Sequence, residues 1–124
     1  MEEILNNSEE IKSMVDATPA ELAEKIAEIL DNKKAREVKV MKVGDKTIIA
    51  DYFVLANGNS STQVRALIDE VEYQMGRRGV DPAHVEGGDG NSWRVLDYSS
   101  VIVHVFDREA REFYNLDKLY TDFE

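Results

Sequence analysis

The sequence predicts one α/β domain whose mixed sheet of about five strands is flanked by helices. Three observations lead there. The chain has 124 residues, the length of a single domain. Two segments repeat apolar residues at the period of a helix packed on one face. Around them lie short runs rich in Val, Ile, Tyr and Phe, bounded by Gly, Asn and Ser turn signals. The patterns alternate as α-β-β-α-β-β-β-α, which sets helices against a sheet.

Residues 1–17 are polar with scattered apolar positions and read as an N-terminal arm or short helix preceding a domain over 18–124. Thr18-Pro19-Ala20-Glu21 starts the first helix: Thr18 can cap it, Pro19 suits the first turn, and Glu21 completes a capping box. Leu22, Ile26, Ile29 and Leu30 form its apolar stripe, and the pattern ends near Asn32. Val38 and Val40 mark a strand over about 37–43, and Gly44-Asp45 a turn. Ile48, Ile49, Tyr52, Phe53, Val54 and Leu55 read as the body of a second strand, nearly continuous as a strand covered on both faces should be. Asn57-Gly58-Asn59 closes it. Val64, Leu67, Ile68, Val71 and Met75 trace the second helix, with Ser60 or Ser61 as cap and Gly79 as stop. A turn-rich stretch (Pro82, Gly87, Gly88, Gly90) holds a candidate strand at His84–Glu86. A hairpin of Trp93–Asp97 and Val101–Phe106 follows, linked through Tyr98-Ser99-Ser100. Asp107 can cap a helix over Arg108–Tyr114. Leu116, Leu119, Tyr120 and Phe123 can anchor a last segment.

Composition narrows the function. There are 15 Lys and Arg against 25 Asp and Glu, a net charge of −10, which argues against a general binder of phosphate backbones. The charge is uneven. Residues 1–31 net −7, residues 32–44 net +4, residues 45–80 net −1 and residues 81–124 net −6. With no cysteine, disulfides, thiolate zinc sites and cysteine nucleophiles are excluded. No run approaches the ~18 apolar residues of a membrane span, and the acidic MEEILNNSEE is unlike a basic targeting segment. A soluble cytoplasmic protein with no membrane contact is expected.

Candidate chemistry is sparse. Asn57-Gly58-Asn59-Ser60-Ser61-Thr62 joins strand to helix, but lacks the glycines and lysine of a phosphate loop. Asp51, inside an apolar run, and Asp97, at a strand end, would need to meet in space to hold a metal ion; a strand-end Asp more commonly accepts turn N–H groups. His84 and His104 lack a third ligand, so a metal site is not expected. In VIVHVF, Val101, Val103 and Val105 form a core face, while Ile102, His104 and Phe106 form a mixed one. A two-residue loop at Ser99-Ser100 sets Trp93, Asp97 and His104 on that mixed face; a three-residue loop separates them. Seven of the ten aromatic residues lie in the last 32 positions, which suits both a core and a binding patch.

Together DYFVLANGNSSTQVRALIDEV, VEG, W-R-V-L-D, VIVHVF and R-E-F-Y-N-L-D-K-L-Y resemble the ribosomal silencing factor, or Iojap, family, over about residues 20–121. The chain departs at Ser99-Ser100, where the family often has Gly-Asp, and at Asp117 and Tyr120, where Glu and Trp are common. The resemblance implies a nucleotidyltransferase-like fold without an active site, hence no enzyme activity and no cofactor. It implies docking on universal large-subunit ribosomal protein fourteen, which blocks joining of the small subunit and lowers translation when nutrients are scarce. It also implies homodimers in isolation. By resemblance, Trp93, Asp97, His104, Tyr114, Leu116 and Tyr120 lie at or beside the contact face. Trp93, Leu116 and Tyr120 would be apolar anchors and Asp97 an acidic partner for Lys or Arg, while His104 and Tyr114 touch the partner or orient the surface from beneath. An acidic chain suits a basic ribosomal protein as landing site, with no specific contact to nucleic acid. The alternatives are a nucleotidyltransferase-fold enzyme and a dimeric adaptor for another basic protein.

Overall fold

Helix α1 (Pro19–Asn32) begins at a reciprocal cap. The Thr18 hydroxyl accepts from the Glu21 N–H at 3.2 Å, and the Glu21 carboxylate accepts from the Thr18 N–H at 2.8 Å. In this computed structural model, which describes residues 11–87 and 92–121 (side chains of 119–121 excepted), the other elements follow in the expected order. They are β1 (Arg36–Lys42), β2 (Tyr52–Gly58), α2 (Ser61–Gly76), β3 (His84–Glu86), β4 (Trp93–Asp97), β5 (Val101–Asp107), α3 (Arg108–Tyr114) and α4 (Leu116–Thr121). Of the sequence features named above, residues 1–10, Gly88, Gly90, Phe123 and the side chains of Leu119 and Tyr120 lie outside the described residues.

The sheet runs β1-β2-β5-β4-β3. The β2–β5 pair at its centre is parallel and the other pairs are antiparallel. Alternation then sorts side chains between two faces. Val54, Ala56, Leu96, Val101, Val103 and Val105 point toward α1 and α2, where they meet Ile26, Leu30, Leu67, Ile68, Val71 and Met75. On the opposite face Phe53, Leu55, Ile102 and Phe106 pack with Met41, Val43, Ala50 and Ala110, under the 43–51 loop and α3. The sheet thus has a core on each side, and the all-valine face of β5 is the one buried under the two long helices.

One difference from the sequence reading has a clear cause. The second strand starts at Tyr52, and Ile48 and Ile49 are exposed instead of paired. The N–H groups of Val43 and Gly44 both donate to the Asp51 carbonyl, and those of Lys46 and Thr47 both donate to the Val43 carbonyl. These bonds pinch residues 43–51 into a closed loop with the isoleucines at its tip. Asp51 sits exposed at the base of that loop, outside the apolar run. The hairpin is linked through Tyr98-Ser99-Ser100 as expected, and the Tyr98 N–H donates to the Val101 carbonyl at 2.9 Å, which leaves Ser99-Ser100 as the two residues of the turn. Ser99 takes φ 72°, as tight two-residue turns require.

Residues 11–17 form no helix. The Met14 N–H donates to the Arg78 carbonyl at 2.9 Å, and Met14 and Ala17 pack against the helical core. Gly79 (φ +82°) turns the chain after α2, and a Cβ there would come within 2.9 Å of Val15 Cγ2.

Candidate docking face

The β4–β5 register decides what the mixed face carries. Trp93 lies opposite Phe106, Val95 opposite His104 and Asp97 opposite Ile102. Directly opposed residues project to the same side. Trp93 Nε1–H donates to His104 Nδ1 at 3.1 Å, and the Trp93 ring stacks on Phe106 with centroids 5.3 Å apart. Tyr114, at the end of α3, lays its ring 4.4 Å from that of Trp93. Phe113 meets Tyr114 edge-on at 5.1 Å. Leu116 packs half-buried on the same cluster.

His104 is buried beneath this surface. Burial lowers its pKa to about 4, so the ring is neutral at physiological pH. Because Nδ1 accepts from Trp93, the proton belongs on Nε2, which has no hydrogen-bond partner among the described residues. The ring meets Phe53 edge-on at 4.8 Å. His104 therefore sets the plane of Trp93 from below. Tyr114 (45% exposed) and Phe113 (81% exposed) are presented to solvent above it.

Four of the six residues singled out from the sequence, Trp93, His104, Tyr114 and Leu116, come together here. Asp97 is on the same face but at the far end of β4, roughly 13 Å along the strand from Trp93. There its carboxylate accepts the Ser99 N–H at 2.7 Å and closes the hairpin. Tyr120 lies in α4, with its side chain outside the described residues.

Sequence reasoning missed the group that holds α3 and α4 over this face. Arg111 is buried, and its guanidinium forks onto Asp117, Nε to Oδ1 at 2.8 Å and Nη2 to Oδ2 at 2.9 Å. Its Nη1 donates to Asn57 Oδ1 at 2.7 Å and to the Glu37 carbonyl at 3.1 Å. Asn57 Nδ2 in turn donates to the Glu37 carboxylate at 2.9 Å. Glu37 sits in a bulge of β1 with φ 50°, a costly backbone that brings its carbonyl to the clamp. The Arg111 hydrogen bonds hold the Asp117 carboxyl below its usual range, against an opposing desolvation effect and with help from Lys39. Asn115 (φ 48°) supplies the bend that lets residues 111 and 117 meet. The available signals were Asn57 at the end of an apolar strand and an Arg–Asp pair straddling an Asn.

The nucleotidyltransferase alternative needed Asp51 and Asp97 to work together. Asp51 is on the loop base and Asp97 is engaged in its turn. Among the described residues, no three His, Asp or Glu side chains gather as a metal cage would need.

A family model described as ribosomal silencing factor during starvation matches residues 16–124, including the aromatic face and its clamp. The chain belongs to the ribosomal silencing factor family. It is 36% identical to ribosomal silencing factor RsfS of Bacillus subtilis over 92 residues, 74% of this chain and 78% of that one. It is 34% identical to the RsfS of Halalkalibacterium halodurans over 102 residues, 82% of this chain and 87% of that one. A mouse relative named mitochondrial assembly of ribosomal large subunit protein 1 is 30% identical over 99 residues, 77% of this chain but 43% of its own length. A crystal structure from Chromobacterium violaceum shares the fold with a TM-score of 0.79 and 26% identity, covering 83% of this chain and 86% of the other. The ribosomal silencing factor fold is thus the one described here, with its second face capped by two short helices.

Proposed function

We propose that this protein docks on the large ribosomal subunit through universal large-subunit ribosomal protein fourteen and blocks joining of the small subunit, repressing translation in the cytoplasm when nutrients are scarce. The observation that carries this reading is the Trp93–Tyr114–Phe113 surface: a half-buried Trp93 with the exposed rings of Tyr114 and Phe113 beside it, held from beneath by His104 and by the Arg111 clamp. Rigid aromatic anchors lose little entropy on binding and dominate interface energetics. Family membership supports a ribosomal partner, and the net −6 of residues 81–124 suits a basic one.

The mechanism is occlusion, with no covalent step and no cofactor. A folded chain of 124 residues is about 35 Å across. A body of that size seated beside the subunit interface keeps the small subunit from closing. Trp93, Tyr114, Leu116 and Tyr120 would anchor it, and Asp97 would face a cation at the far end of β4.

Purified protein mixed with both subunits is expected to increase the free-subunit peaks in a sucrose gradient and to cosediment with the large one. Unchanged joining, with no cosedimentation, would rule the reading out. Binding should also weaken as salt rises, as exposed charge pairs do.

A further inference from the structure

The net negative charge conceals a basic edge. Residues 32–44 carry Lys33, Lys34, Arg36, Lys39 and Lys42 against the single acid Glu37. The fold lays most of this segment along β1, one of the two edge strands, whose neighbour in the sheet is β2. All five cations are exposed. Lys33 meets Glu70 at 3.7 Å and Lys39 meets Asp117 at 3.6 Å, long contacts in solvent. Arg36 and Lys42 make no ion pair among the described residues.

At the Arg36 end of the edge lies a groove of about 570 Å³, lined by Arg36, Glu37, Asn57, Gly58, Asn59 and Arg108. Its polar lining is partly spent. The Glu37 carboxylate accepts from Asn57, and the Asn57 carbonyl accepts from Arg111. Among the described residues Arg36 has no such partner, and Arg108 reaches the exposed Glu112 at 4.0 Å. Two guanidinium groups from separate elements thus flank an open groove, with Lys39 on the same face of the sheet edge and Lys42 on the other. Lysines on an edge strand guard it against strand pairing, a role that does not account for two arginines lining one groove from separate elements. Five exposed cations against one acid along this edge, in a chain with ten more acids than bases, suit an anionic partner.

We propose that the β1 edge and the Arg36–Arg108 groove bind the phosphate backbone of RNA. The contact is electrostatic and independent of base sequence, because guanidinium forks and lysines here meet phosphates and not base edges. The edge lies three strand spacings from β4, roughly 14 Å, so one molecule can hold RNA along β1 and a protein at Trp93. Resting on the docking reading, ribosomal RNA bordering the protein partner is the natural occupant.

The test uses a labelled RNA duplex of about 16 base pairs at low salt, followed by fluorescence anisotropy. The wild-type chain should bind it, with log K falling linearly against log salt. The Arg36→Glu/Arg108→Glu variant should bind at least ~10-fold more weakly, with a salt slope reduced by about 2. The neutralising pair Arg36→Gln/Arg108→Gln should show the same change in smaller measure, which keeps the test open if charge reversal disturbs folding. Failure of the wild type to bind, or equal affinity and slope in wild type and variants, overturns the proposal. Binding to the purified ribosomal protein should not change in either variant. If neither wild type nor variants engage that protein while RNA binding behaves as stated, the docking reading fails and the basic edge stands.

Discussion

The two faces of the sheet are buried by different means. Under α1 and α2 the packing is almost wholly aliphatic, with Val, Leu, Ile and Ala from three layers closing on one another. A polar exception, the Tyr98 hydroxyl, is buried with no partner among the described residues, and burial drives its pKa upward. The other face combines aromatic rings with a neutral histidine and an arginine clamp. Apolar packing tolerates small shifts, whereas directional bonds fix side chains in one arrangement. The helical face provides stability, and the aromatic face provides a surface of defined shape.

Substitutions should separate these roles. Leu67→Ala, on the helical face, should destabilise by about 3–4 kcal/mol in urea melts, with docking intact in the molecules that remain folded. Acid should act chiefly on the aromatic face. The folded-state pKa of His104 lies below the unfolded value of 6.5, so the unfolded chain binds more protons between pH 6.5 and about 4. Stability is therefore full above pH 6.5 and falls as pH drops toward 4, by up to on the order of 3 kcal/mol. His104→Gln should remove that slope in a pH series of melts, and an unchanged slope would assign it elsewhere. Arg111→Met should cost about 2–3 kcal/mol, because Asp117 and Asn57 lose the hydrogen bonds they accept from Arg111. Asp117, held low chiefly by that partner, contributes stability above its usual pKa near 3.8 that is lost as pH falls below it; this loss should be smaller in Arg111→Met. Tyr114→Ala should change the melting midpoint least of the four, while weakening large-subunit binding by about 2 kcal/mol in cosedimentation. Wild-type binding by a folded Tyr114→Ala protein would remove this ring from the contact surface.

Most of the helical face was legible in the sequence, because its cause is periodicity. The stripes Leu22-Ile26-Ile29-Leu30 and Val64-Leu67-Ile68-Val71-Met75 and the all-valine side of β5 all pack where period alone places them. The aromatic face was legible in part. Once the hairpin loop is Ser99-Ser100, the pairing of Trp93 with Phe106 follows, but two registers fit the sequence equally well. Ile48 and Ile49 misled because apolar residues signal burial, and what excludes them from the sheet is a set of main-chain bonds to Val43 and Asp51 that any residue can make. The Arg111 clamp was illegible for a related reason: it joins residues 37, 57, 111 and 117 through a bulge and a left-handed bend, and neither has a periodic signature.

The parallel pair at the centre of the sheet bears on how the chain is made. Tyr52 pairs with Val101 and Gly58 with Asp107, so β2 waits for nearly fifty later residues before it gains its inner neighbour. At ribosomal elongation speeds of about 5–20 residues per second, that delay lasts several seconds. During it, Phe53-Val54-Leu55-Ala56 can pair on one side with β1 and lies bare on the other, the condition in which nascent strands aggregate. Folding of this protein is therefore a late event in its synthesis, with a window in which a chaperone that shields one strand edge would have the greatest effect on yield.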